Sequence, residues 1–202
     1  MNGCLFVVSA PSGAGKTSLV NALLAADPAV RKSVSYTTRA PRPGESDGQD
    51  YHFVPMADFE RMIDAHDLLE HARVHGNCYG TGRSWVLGAL AAGEDIVLEI
   101  DWQGAQQVRR LYPQAVSVFI LPPSIDALET RLRGRGQDSD AVIDRRVQAA
   151  RAEIAHVDEF DYVIVNSVFA TAARELQSIV IAHRLMRPVQ LARHQALIDA
   201  LR

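Results

Sequence analysis

One segment constrains the chain more than any other. The apolar run from Leu5 to Ser9 leads into Ala10-Pro11-Ser12-Gly13-Ala14-Gly15-Lys16-Thr17, and a helical pattern follows from Ser18 to Ala26, stopped by Pro28. Glycines at 13 and 15 let the backbone turn tightly enough to aim successive N–H groups at one anion, and the start of a helix adds partial positive charge. In the phosphate-loop pattern G-x-x-x-x-G-K-[ST], Lys16 reaches the β- and γ-phosphates and the Thr17 hydroxyl helps to hold Mg²⁺. Ala10 stands where the strict pattern has Gly, so the reading leans on context, a strand before and a helix after. Its alternative is a Gly-rich turn that happens to precede an exposed Lys. Composition weighs against that, because only Lys16 and Lys32 are Lys among 21 basic residues.

Further apolar, β-rich runs at Asp95 to Ile100, Val116 to Leu121 and Tyr162 to Val165 alternate with helical patterns. These patterns span Phe59 to Ala65, Trp85 to Ala92, Gln103 to Leu111, Ile125 to Arg133, Asp140 to Val157 and Ala172 to Leu185, and Val189 to Leu201 reads as one more helix. Near-continuous hydrophobic strands separated by helices predict an α/β fold with a parallel sheet covered on both faces. Between the first core strand and the one ending at Ile100 lie some 85 residues, far more than one crossover needs, so a subdomain is inserted there. Short extended pieces are expected in it around Ser33 to Tyr36 and Tyr51 to Val54, beside the turn-rich stretch from Arg39 to Gly44. Charge supports the division. Residues 35 to 101 carry 5 basic and 12 acidic side chains, whereas residues 1 to 34 and 102 to 202 each come to +2.

The whole chain, at 202 residues and 48% hydrophobic, fits one globular domain. A net charge of −3 offers no bulk positive field for a nucleic acid or an anionic membrane, so the expected partners are small molecules. No run approaches the ~18 apolar residues of a membrane span. The N-terminal apolar run has no basic residue before it and reads as a buried strand rather than a secretory signal. Two cysteines, Cys4 and Cys78, make neither a disulfide framework nor a paired zinc site, and a reducing, cytoplasmic setting is expected.

The motifs together resemble the guanylate kinases of bacteria, within the nucleoside monophosphate kinases of the P-loop class. The likeness runs through S-A-P-S-G-A-G-K-T at 9 to 17, S-V-S-Y-T-T-R-A-P-R-P-G-E at 33 to 45, and the D-Y-H-F piece ending at Phe53. It continues in L-L-E-H-A at 68 to 72, G-N-C-Y-G-T at 76 to 81 and E-I-D-W-Q-G at 99 to 104. R-L-R-G-R-G-Q-D at 131 to 138 and D-Y-V-I-V-N at 161 to 166 carry it across nearly the whole chain. The resemblance implies a P-loop nucleoside triphosphate hydrolase-like three-layer fold. Its core would take residues 1–33 and 95–202, with a GMP-binding subdomain at about 34–94 and a mobile lid at about 134–145. It implies transfer of the ATP γ-phosphoryl group to GMP, and to dGMP, with Mg²⁺, in purine nucleotide metabolism.

The same resemblance assigns residues. ATP falls to Ala10, Pro11, Ser12, Gly13, Ala14, Gly15, Lys16 and Thr17, with Arg131 and Asn166 flanking the adenine. Arg39 and Arg42 take the GMP phosphate, helped by the Tyr51 and Tyr79 hydroxyls; two guanidinium forks across a Pro-containing turn suit a dianion. Glu70 accepts the adjacent N1–H and N2–H₂ donors of guanine, and Ser35 and Thr81 bond the base from the other side. A buried site of that type rejects the wrong base by ~10⁴-fold or more, since its own polar groups would be left unpaired. Glu99 is placed toward base or ribose, and Asp101, two residues on and expected on the same strand face, is placed to orient the acceptor or metal-bound water. Glu99 stands where the family often has Asp, and Cys78 where an aromatic often precedes the Tyr.

Lys16, Arg39, Arg135 and Arg146 are the expected catalytic residues, the last two on the transferring phosphates, with Gly134 and Gly136 as hinges. Phosphoryl transfer is largely positioning and electrostatic stabilisation, so arginines that arrive with closure make chemical sense. Arg133, Arg145 and Arg151 read as an Arg-rich helical surface, and His71 and His75 as surface or structural histidines. Three rivals stand. A kinase for another phosphate ester has no reason to keep Ser35, Glu70 and Thr81 together. Non-catalytic guanylate-kinase-like binding modules have degraded phosphate loops, and a regulatory GTPase wants an N-K-x-D-like segment. The stretch after Arg187 can pack on the core or join two copies into a homo-oligomer.

Overall fold

A computed structural model describes residues 3–74, 76–134 and 139–202; His75, Arg135 and Gly136 lie outside the described residues. The first apolar run forms β1 (Leu5–Ser9), and the glycine turn delivers the chain into α1 (Lys16–Ala26). Next come β2 (Val30–Lys32), β3 (Ser35–Thr37), β4 (His52–Phe53), α2 (Met56–Asp64), β5 (Leu68–Val74), β6 (Asn77–Gly82) and α3 (Arg83–Ala91). The second half runs β7 (Asp95–Glu99), α4 (Trp102–Leu111), β8 (Val116–Leu121), α5 (Ile125–Gly134) and α6 (Asp140–Ile154). It ends with β9 (Tyr162–Val165), α7 (Phe169–Arg184), α8 (Arg187–Arg193) and α9 (Gln195–Ala200).

Strands in the order β2-β7-β1-β8-β9 make an all-parallel sheet. Alternation along β1 sends Phe6 and Val8 to one face and Leu5 and Val7 to the other. On the first face they meet Leu19, Val20 and Leu23 of α1 and Leu176 and Val180 of α7. On the second they meet Val86 and Leu90 of α3 and Ala105 and Val108 of α4. The result is the expected three-layer α/β core. β1 leads through α1 to β2 on one side, whereas its neighbour β7 leads through α4 to β8 on the other, so the connections part at the carboxyl ends of β1 and β7 and a crevice opens there.

A second sheet, β4-β3-β6-β5, lies within residues 35–82 and pairs β3 with β6 and β6 with β5 antiparallel. Phe59, Leu68 and Cys78 form a small core beneath it. Its edge strand β5 breaks register between Leu68 and Glu70. The break lets Leu68 join that small core, Leu69 the core of the parallel sheet and Glu70 the crevice, so three consecutive side chains are buried in three places.

Several sequence expectations differ in detail. The segment Val189 to Leu201 is two helices, α8 and α9, parted at His194. The long helix from Asp140 stops at Ile154 and gives way to a 3-10 turn at Val157–Glu159. Asp101 lies beyond β7 rather than on it; it caps α4, its Oδ1 accepting the Gly104 N–H at 2.9 Å.

The C-terminal helices are fastened to the start of β7. Asp95, 3% exposed, accepts the Cys4 N–H at 2.8 Å, Arg184 Nε at 2.6 Å and Arg193 Nη2. Arg184 also bonds Asp27 at the end of α1. Among the described residues no helix is long and apolar enough to cross a membrane, and both cysteines are buried and unpaired.

Candidate active site

The loop after β1 is shaped by its glycines and held from behind. Gly13 and Gly15 sit at φ of 91° and 96°, the left-handed region where a side chain is strained. A Cβ on Gly15 would also stand 2.5 Å from Asn166 Nδ2. That amide is buried and donates to the Ala14 carbonyl at 2.8 Å, while Arg131 donates to the same carbonyl at 3.3 Å and to Asn166 O at 2.9 Å. Ala14 is thereby fixed away from the crevice, and the rest of the loop from Ala10 to Thr17 lines it.

The chemistry-bearing side chains meet at the carboxyl edge of the parallel sheet. Lys16 Nζ donates to Ile100 O at 2.9 Å, just past β7. The Thr17 hydroxyl donates to Glu99 Oε1, and Lys32, at the end of β2, faces Glu99 Oε2 at 3.4 Å. From α6, Arg146 Nη2 donates to Ser12 Oγ at 2.8 Å.

Across the crevice, Arg39 bonds both oxygens of Glu45, at 2.8 and 2.9 Å, and packs over the Tyr51 ring at 5.4 Å. Burial works against the Arg39 charge, but the Glu45 and Tyr79 interactions outweigh it and raise the pKa. Burial likewise opposes the Glu45 charge, and Arg39 together with the Arg42 N–H, at 2.8 Å, holds that carboxyl below its ordinary value. Tyr51 is pushed up to about 12 by burial, with Glu99 and Tyr79 adding, so it stays a neutral hydroxyl.

Glu70 is 3% exposed and accepts the Thr81 hydroxyl at 2.6 Å. Burial raises its pKa to about 7, against the pull of the Thr81 hydrogen bond, and Asp101 adds to the rise. A Cβ at Gly104 would come within 2.2 Å of Glu70 Oε2, so the first turn of α4 leaves room for this carboxyl and for nothing larger.

One cleft of about 540 Å³ joins the two halves. Ser35, Arg39, Arg42, Tyr51, Glu70, Tyr79, Glu99, Asp101 and Arg146 line it together with Lys16 and Thr17. Three expected ATP residues do not: Ala14, Arg131 and Asn166 stand behind the loop as supports. Thr81 is wholly buried beside Glu70, not opposite it. Exposed Arg133 pairs with Glu129 and Asp140, in keeping with a surface role. Sequence reasoning passed over Lys32, Glu45 and Glu153, which also line the cleft. Glu45 lay in the quoted motif, six residues past Arg39, but nothing local marked it as that residue's partner.

Among the described residues no group of three or more His, Cys, Asp or Glu is arranged to hold a metal ion. Mg²⁺ bound with a nucleotide keeps waters and phosphate oxygens and needs one or two protein ligands. The Thr17 hydroxyl, in the cleft with Glu99 beside it, fits that demand.

The family profile described as guanylate kinase matches residues 3–183. A guanylate kinase of Thiobacillus denitrificans is 58% identical over 200 residues, covering 99% of this chain and 96% of that one. One of Dechloromonas aromatica is 57% identical over 201 residues and the whole of both chains. The crystal structure of guanylate kinase from Anaplasma phagocytophilum superposes with a TM-score of 0.78 at 36% identity, covering 92% of this chain and 88% of that one. The phosphate loop, the facing arginine and carboxylate, and these full-length similarities have one reading: the chain belongs to the guanylate kinase family.

Proposed function

We propose that the two halves of the cleft divide the work of an ATP:GMP phosphotransferase, which phosphorylates GMP to GDP and releases ADP. The observation that carries this division is that Lys16 and Thr17 share one cleft with Arg39 and Glu70. The loop N–H groups and Lys16 hold the ATP phosphates, and the Thr17 hydroxyl is the protein ligand for Mg²⁺. When bound, Mg²⁺ neutralises phosphate charge. Arg39 and Arg42, with the Tyr51 and Tyr79 hydroxyls, hold the GMP phosphate. Glu70, as carboxylate, accepts N1–H and N2–H₂ of guanine, and Ser35 supports the base; adenine presents an acceptor at N1 and would face a like group.

Arg146 and Arg135 stabilise charge on the transferring group. The acceptor phosphate is already an anion, so neither His71 nor another base is required. Lid closure over residues about 134–145 would exclude water and protect ATP from hydrolysis. Arg131 and Asn166 act on ATP through the loop they brace. The inserted subdomain, about 34–94, is the acceptor-binding unit, and the working setting is cytoplasmic.

A coupled ADP-release assay with GMP, dGMP, AMP, CMP and UMP tests the reading. Turnover is expected with GMP and dGMP. Turnover with AMP and none with GMP would overturn it.

A further inference from the structure

Glu70 stands on β5, the edge strand of the second sheet. An edge strand turns N–H and C=O groups outward with no strand beyond to meet them. At His71, the residue after Glu70, one side chain of α4 meets both. Gln107 donates from Nε2 to His71 O at 2.7 Å and accepts the His71 N–H on Oε1 at 3.2 Å. A neighbouring antiparallel strand exchanges two bonds in the same way with the residue opposite it.

α4 gives that grip a firm base, because Ala105 and Val108, on the adjoining face, are buried in the core of the parallel sheet. Gly104 and Gln107, three residues apart, are neighbours on the helix surface. The first leaves space for the Glu70 carboxyl, where a Cβ would come within 2.2 Å of Oε2. The second holds the main chain one residue further along β5. A hold is needed there, since the register of β5 on β6 breaks between Leu68 and Glu70 and the ladder alone places the strand less firmly.

We propose that Gln107 is a positioning residue for guanine recognition: standing in for a missing strand, it fixes the main chain of β5 beside Glu70 so that the carboxylate meets both base donors at once. The proposal rests on the reading of Glu70 as the guanine acceptor. Gln107 is not among the residues lining the cleft, so it acts through the strand and not on the base.

Gln107→Met keeps the length of the side chain and removes both bonds, and Gln107→Asn keeps the amide and draws it back by one methylene. Steady-state kinetics compare GMP with inosine monophosphate, which keeps N1–H and lacks the 2-amino group. A one-point contact tolerates a shift of the carboxylate that a two-point contact does not. Both variants are therefore expected to lower kcat/KM by about 10-fold for GMP and about 2-fold for inosine monophosphate, with KM for ATP within about 2-fold of wild type. In a Glu70→Ala background Gln107→Met should add no more than about 2-fold, because it acts through that carboxylate.

An equal fall for the two acceptors is what mere fastening of the subdomain gives, and it would overturn the positioning role. A comparable rise in KM for ATP, or full additivity with Glu70→Ala, would do the same. If Glu70→Ala alone keeps the wild-type preference for GMP, the underlying assignment of Glu70 fails and the proposal with it. If Glu70→Ala loses that preference and neither Gln107 variant does, only the role of Gln107 falls.

Discussion

On the proposed reading, in which Glu70 accepts the guanine donors, recognition is tied to pH. With its pKa raised to about 7 by burial, the carboxyl passes from neutral to charged across the range in which such an enzyme is assayed. Only the charged form accepts both guanine donors. The competent fraction is about 0.9 at pH 8 and about 0.1 at pH 6, and apparent affinity scales with that fraction, so KM for GMP should rise about 10-fold on acidification. The GMP phosphate itself takes up a proton near pH ~6, which is why Glu70→Gln is the control: it shares the ligand's titration and lacks its own. Wild type should show the extra step and the variant should not. Identical pH profiles in the two proteins would refute the reasoning.

Stability moves the opposite way. The folded pKa lies above the unfolded value, 4.5 against about 7, so the folded state binds more protons and loses stability as pH rises through that window. The loss is about 3 kcal/mol at most. Glu70→Gln should therefore melt higher than wild type at pH ~8 while binding GMP less well, a trade of stability against function.

Lys16→Met should fold normally by circular dichroism and lose transfer by about 100-fold or more, the scale for removing one preorganised charge-stabilising donor. Gly15→Ala combines a φ of 96° with a 2.5 Å approach to Asn166, so it should lower Tm and raise KM for ATP more than KM for GMP. Asp95→Asn breaks a buried cluster with Arg184 and Arg193 and should cost about 3 to 5 kcal/mol in urea unfolding. An unchanged midpoint would show that the C-terminal helices are not held there.

What could be read from the chain was what is local to it. The apolar strand, the glycine turn and the helix after it stand in one continuous segment, and the four core strands with runs of Val, Ile and Leu announced themselves. β2 did not, because three residues with two charges, Val30-Arg31-Lys32, carry no strand pattern. β5 and β6 hid for related reasons. Glu70, His71 and Arg73 interrupt the apolar rhythm of the first, its register break spoils alternation, and Gly80 and Gly82 thin the second. The break at His194 has neither Gly nor Pro to signal it. In the site, Arg39 and Glu70 were legible through motif wording, whereas the partners Arg146 to Ser12 and Lys32 to Glu99 meet only when distant segments fold together.

Arg39 does not wait as a bare cation. Both carboxylate oxygens of Glu45 take its Nη2 and the Ala40 carbonyl takes Nη1, so on the proposed reading an arriving phosphate exchanges one anion for another, and the net gain is the difference between two strong pairs. The same arithmetic governs departure. As the phosphorylated product leaves, the carboxylate six residues away returns to the fork, so no desolvated charge is stranded. On that reading Glu45 limits how tightly the acceptor side holds its ligand and shortens how long it keeps it, which suits a catalyst that must let go once every turnover.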